Sequence, residues 1–153
     1  MQNPVNTFLS FGLLISVVGG SFYFASANAP IKPWTGLTAG AIITAEDAES
    51  LGLERDHGFL IIAIAPSSPA EQAGLRGGSG VNTVLINGEQ VPVDGDIIVS
   101  MDGMEINQRA DICAVLGQKQ VGDRVRFEVS RDGNLQQIDV ILEELPRGAR
   151  STC

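Results

Sequence analysis

Few side chains in this chain have the chemistry for catalysis, and their spacing argues against it. His57 is the only histidine and directly follows Asp56. A His–Asp couple orients a general base only where a nucleophile converges on it in space. The couple sits in a polar loop, Glu54 to His57, and is read as a loop histidine. Gly77-Gly78-Ser79-Gly80 is a Gly-rich loop, but a phosphate cradle needs a helix directly after it and usually a Lys. A strand-like run, Val81 to Ile86, follows instead. There is no H-E-x-x-H, so the helix of a zinc protease is missing. Cys113 and Cys153 are too few for a disulfide framework or a zinc site. A buried inert thiol and a frayed tail are favoured over a bridge between them. The expectation is a chain with no catalytic residues, no metal and no cofactor.

The elements that carry these residues are short and strand-rich. Phe59 to Ala65 is a continuous apolar run, too short for a long helix and rich in branched residues, which reads as a strand buried on both faces. Pro66 ends it, Ser67-Ser68 turns, and Pro69 stands where a helix can lose an N–H without cost. Ala70 to Ala73 makes one or two helical turns, Gly74 stops them, and Leu75 points back to the core. Upstream, Leu37 to Thr44 reads as an edge strand. A short helix follows from Ala45 to Glu49, with Thr44 as its cap and acids in its first turn. Downstream, Asn87-Gly88 is a hairpin signal between Val81–Ile86 and Val91–Val93. Asp94-Gly95-Asp96 turns into Ile97-Ile98-Val99, and Asp102-Gly103 turns again before Met104 and Ile106. Asn107 to Lys119 reads as a helix capped by Asn107, with Ile112, Val115 and Leu116 on one apolar face. Val125, Phe127 and Val129 alternate with charged residues, as do Ile138, Val140 and Leu142 after the turn Arg131-Asp132-Gly133-Asn134. After Pro146 the tail RGARSTC has no apolar periodicity and is expected to be mobile.

The chain has 153 residues, enough for one ordinary domain and a short extension. Its net charge of −8 argues against nucleic-acid partners and acidic substrates, because phosphate binding needs clustered Lys and Arg. The first segment differs in kind. No charged side chain precedes Lys32, and Phe8 to Ala27 reads FLSFGLLISVVGGSFYFASA, about the length of a helix that crosses a bilayer. Three readings stay open: an uncleaved anchor, a signal peptide cleaved after Ala25-Ser26-Ala27, or a segment buried against another subunit. The expected organisation is a hydrophobic helix, as anchor or signal, within residues 1–29, a domain over 30–146 and a flexible tail over 147–153.

The stretch from Gly58 to Gly78, GFLIIAIAPSSPAEQAGLRGG, resembles the PDZ domains of bacterial and archaeal HtrA-type serine proteases. The resemblance runs from about Pro33 to Pro146. It implies an α+β fold, a small, partly open β-barrel of five or six strands capped by two helices. Val81 to Val93 lengthens it by an extra hairpin. Asn3-Pro4-Val5-Asn6-Thr7 is similar to a sequence near the end of HtrA protease domains, as if the chain descended from one that lost its catalytic part. Gly78-Ser79-Gly80 is faintly similar to the nucleophile loop of such proteases but lies in the wrong place, and the catalytic double barrel needs roughly 200 more residues.

The resemblance also assigns a site. Trp34-Thr35-Gly36-Leu37 corresponds to the loop whose backbone N–H groups hold a peptide's C-terminal carboxylate. Gly36 frees the backbone to aim consecutive amides at one oxygen. Thr38 and Ala39 on the following strand, with Ile112, Val115 and Leu116 on the later helix, correspond to the groove. The implied function is capture of apolar C-terminal peptide ends by strand addition, with micromolar rather than nanomolar affinity. The alternative is a non-catalytic regulatory fragment or accessory subunit of an HtrA-type protease in protein quality control. Partners would be peptide segments, such a protease, and a membrane through residues 8–27, on the periplasmic or other extracytoplasmic side.

Overall fold

The structure is a computed structural model that describes residues 15–18, 21–24, 31–51, 56–86 and 89–153. The chain falls into two units, Met1–Pro30 and Ile31–Cys153. In the first, β1 (Ile15–Val18) pairs antiparallel with β2 (Ser21–Phe24), Ile15 opposite Phe24 and Val18 opposite Ser21. The helix expected across Phe8 to Ala27 lies for the most part outside the described residues, and the described ones form these two strands. The physical reason lies in composition: Ile15, Val17 and Val18 are β-branched, and two apolar runs separated by Gly-Gly form a hairpin pattern. The rest of that segment, and Asn3 to Thr7, lie outside the described residues. Among the described residues no helix is long and apolar enough to cross a membrane.

The second unit holds β3 (Pro33–Trp34), β4 (Leu37–Ile43), α1 (Ala45–Leu51), β5 (Gly58–Ile64) and α2 (Pro69–Gln72). The hairpin β6 (Thr83–Ile86) and β7 (Glu89–Pro92) follows, then β8 (Ile97–Met101) and β9 (Met104–Glu105). α3 (Arg109–Leu116), β10 (Arg124–Arg131), β11 (Asn134–Ile141) and β12 (Glu143–Glu144) complete it. The main sheet has six strands in the order β11-β10-β8-β5-β4, with β9 attached to β8. This is the expected small PDZ-like sheet, and β6–β7 is the extra hairpin. β12 returns to pair with β3, Glu143 opposite Trp34.

Local chemistry explains the elements. β5 is buried along its first half, with Phe59, Leu60 and Ile61 at most 1% exposed, as its unbroken apolar run requires. Along β10 the alternation places Val125, Phe127 and Val129 in the core. Thr44 caps α1, its hydroxyl accepting from the Asp47 amide at 3.2 Å, while the Asp47 carboxylate accepts from the Thr44 amide at 3.0 Å. Ser68 caps α2, and Pro69 opens it. α3 is shorter than the Asn107–Lys119 span of its apolar pattern. Gln108, not Asn107, holds the extended cap position, because the Asp111 carboxylate accepts from both the Asn107 and Gln108 amides, at 2.9 and 3.0 Å. That bond holds the preceding chain out of the helix.

Two contacts position the start of β4 and the sheet beside it. The first is polar. Asp96, at the start of β8, is 1% exposed. Its carboxylate accepts two hydrogen bonds from Arg131 at the end of β10, both 2.7 Å, and one from the Arg76 amide at 2.8 Å. Arg131 also donates to the carbonyl of Gly74, just past α2, at 2.7 Å. The second is steric. Gly36 has φ of +96°, and a Cβ there would collide with the Cβ and Oγ of Ser68, so β4 begins in close contact with the cap of α2.

Arg131→Ala leaves Asp96 buried without its counter-ion. The expected loss is about 3–5 kcal/mol of unfolding free energy, a large share of a small domain's total, measured by urea titration. Gly36→Ala combines a left-handed backbone with the Ser68 collision and is expected to cost about 2–4 kcal/mol. A melting temperature equal to wild type for Gly36→Ala contradicts the packing described for the start of β4.

Candidate functional site

β4 ends the strand order, so its outer edge has no strand partner among the described residues. The chain enters β4 through Trp34, Thr35, Gly36 and Leu37, all buried. The Gly36 carbonyl accepts from Ala65 beyond β5 at 2.8 Å, and the Thr35 carbonyl accepts from the amide of Ala70 in α2 at the same distance. The loop is thus anchored from behind. Because the polar groups of successive strand residues alternate sides, Gly36 turned toward β5 leaves the N–H and C=O of Leu37 facing the outer edge. The Leu37 amide donates to the Thr35 hydroxyl at 3.3 Å. The indole Nε1 of Trp34 is buried and has no hydrogen-bond partner among the described residues.

Thr38 and Ala39 are exposed on β4, where a segment added to the edge would run. Register shifts interrupt the β4–β5 ladder on both sides of Ala39. Gly40 packs where any Cβ would strike the Phe59 ring. On α3, Ile112, Val115 and Leu116 are 0%, 6% and 5% exposed and belong to the main core cluster. The side chain of Leu37 is packed in the same cluster.

The residue that sequence reasoning misplaced is Cys113. It is neither inert nor free: it forms a disulfide with Cys153, Cα to Cα 5.5 Å. The tail over 147–153, expected to be mobile, makes contacts at its end. The Thr152 hydroxyl donates to the Leu37 carbonyl at 2.8 Å, and Ser151 and Thr152 are half-buried. Spacing carried no signal for this bridge, since 40 residues and a whole hairpin separate the two sulfurs in the chain. Only the sheet returns β12 to β3, and with it the tail to the start of β4.

The residues first considered for catalysis do not converge. His57 Nδ1 lies 2.7 Å from Asp56 Oδ1 in a surface loop. The Ser79 hydroxyl donates to Asp94 rather than to the histidine, and this bond holds the Asp94 carboxyl below the usual carboxylate range.

Comparison with known proteins agrees with this geometry. The PDZ domain family matches residues 38–142. A probable periplasmic serine endoprotease, DegP-like, from Marinomonas sp. (strain MWYL1) is 37% identical over 101 residues, which is 66% of this chain and 18% of that protein. Protease Do-like 1, chloroplastic, from Arabidopsis thaliana is 35% identical over 101 residues, 66% of this chain and 21% of that protein. The chain thus spans about a fifth of the length of these relatives. Among solved structures, the HtrA-type protease AlgW with decapeptide superposes with a TM-score of 0.57 at 22% identity, covering 76% of this chain and 30% of that one. The HtrA3 PDZ domain bound to a phage-derived ligand, FGRWV, superposes with a TM-score of 0.54 at 18% identity, covering 74% of this chain and 86% of that one. This chain belongs to the PDZ domain family, and its PDZ domain is of the kind carried by HtrA-type serine proteases.

Proposed function

We propose that the outer edge of β4 and the loop Trp34-Thr35-Gly36-Leu37 capture the C-terminal ends of extended peptides. The observation that carries this reading is an outer strand whose first residue turns its backbone groups outward beside a left-handed glycine. An added strand gains main-chain bonds along Thr38 and Ala39, and a carboxylate gains the amides of the loop. The Leu37 amide is then transferred from the Thr35 hydroxyl to the incoming carboxylate, a stronger, charge-assisted bond. An apolar last side chain fits best, since Leu37, Ile112, Val115 and Leu116 make up the adjoining core. Two similar structures contain peptides, a decapeptide with the HtrA-type protease AlgW and FGRWV bound to the HtrA3 PDZ domain, which supports a peptide as the ligand class.

An extracytoplasmic setting suits the chain. Several relatives are named as periplasmic proteases, and disulfides persist in oxidising compartments. Export, or attachment to a membrane, falls to residues 8–27. A second reading, an accessory or regulatory piece of an HtrA-type protease in protein quality control, draws on the fact that the relatives are proteases of which this chain matches only about a fifth. Co-elution with such a protease on size exclusion, in the absence of peptide, distinguishes that role.

The test is titration of a fluorescent FGRWV peptide, as free acid and as C-terminal amide, under reducing conditions so that the tail is not held at the loop. Loss of the carboxylate is expected to weaken binding by about 1.5–3 kcal/mol, the range for hydrogen bonds to charged groups. Equal affinity for acid and amide rules out carboxylate capture.

A further inference from the structure

The two walls assigned to the groove are bridged by the chain itself. Thr152 reaches the Leu37 carbonyl on β4, and the next residue, Cys153, is bonded to Cys113 on α3. Both outward-facing backbone groups of Leu37 are therefore taken by hydroxyls of this chain, the amide by Thr35 and the carbonyl by Thr152. An added strand needs those two groups for the first rung of its ladder. Beyond Leu37 the tail contributes no strand pairing to β4 among the described residues, so only the loop end of the groove is covered.

We propose that Ser151-Thr152-Cys153 is a built-in plug of the carboxylate end of the groove, latched by the Cys113–Cys153 disulfide and released by a dithiol reductant. The inference rests on the peptide-binding reading and adds its regulation. The hydrogen bond from Thr152 alone is a weak hold, because a peptide strand offers the same carbonyl an equivalent donor. The disulfide changes the competition. A covalently tethered segment faces its site at an effective concentration of about a millimolar or more, and a micromolar peptide cannot displace a bond. Cys153 is exposed and Cys113 half-buried, so the Cys153 sulfur is open to attack. A reductant thiolate bonds to that sulfur and expels Cys113 as thiolate, which takes up a proton. The second thiol of the reductant then attacks the mixed disulfide, frees Cys153 as thiol and leaves the reductant oxidised. Two electrons and two protons pass to the protein, and the tail is left held only by hydrogen bonds.

The experiment measures affinity for fluorescent FGRWV free acid with oxidised wild type, wild type reduced by dithiothreitol, and Cys153→Ser with and without dithiothreitol. Cys153→Ser changes an exposed tail position and leaves α3 intact, and melting curves establish that it is folded. Reduced wild type needs no substitution at all, so the test does not depend on the variant. Oxidised wild type is expected to bind at least about tenfold more weakly than the other three, given the tethered competitor, and Cys153→Ser is expected to ignore the reductant. Oxidised wild type binding as tightly as Cys153→Ser overturns the plug while leaving peptide capture standing. Absence of binding in all four samples removes peptide capture, and the plug with it.

Discussion

The bond between Asp96 and Arg131 is the constraint on which the sheet depends. Two buried charges are costly to remove from water, and their attraction compensates only when geometry is good and the remaining lone pairs are filled. Here the carboxylate receives a bidentate guanidinium and a backbone amide, and the guanidinium spends a further N–H on the Gly74 carbonyl. The pair joins the start of β8, the end of β10 and the exit from α2. Asp96 also works through its backbone, its carbonyl accepting from Ile61 at 2.9 Å and its amide donating to Arg76 at 3.0 Å. The middle of β5 is thereby held to the same point, and β4 lies on β5.

From that frame the site follows by packing. α2 is a single turn, too short to be stable alone, so its place comes from its partners: Arg131 at its exit, the Thr35 carbonyl on Ala70, and Gly36 against its Ser68 cap. The same contacts, taken from the other side, anchor the loop at the start of β4. A loop built this way is stiff, which under the proposed function lowers the ordering cost that a short peptide has to offset. The apolar face of α3 shares a core cluster with Leu37, and the disulfide ties α3 to the tail.

The disulfide also changes what the tail is. Closing a 40-residue separation restricts the unfolded chain by about 4 kcal/mol in the chain-entropy estimate, with engineered cases often giving less. The same bond that stabilises the domain also keeps Thr152 beside the first residue of β4, whose carbonyl it reaches. Edge strands invite unwanted pairing, and covering the first residue of β4 limits that exposure at one end only.

The amino-acid sequence by itself determined the local elements and the family pattern. Phe59 to Leu75 carries its strand, cap, helical turn and glycine stop in consecutive residues, and each depends on neighbours at most a few positions away. The alternation in β10 and the hairpin turn after Arg131 were legible for the same reason. The sequence also marked Trp34-Thr35-Gly36-Leu37 as the loop before an edge strand, and the structure has it entering β4. Tertiary structure decided the rest. That Asp96 pairs with Arg131, 35 residues on, depends on strand order, which no local pattern encodes. The helical spacing of Ile112, Val115 and Leu116 marked an apolar face of α3, and only the tertiary structure put all three in the core. Cys113 and Cys153 looked unrelated, being far apart in the chain with nothing periodic between α3 and the tail to relate them. They meet because β12 folds back on β3 and delivers the tail to the loop, a closure set by pairing of distant strands and not by any residue's own preference.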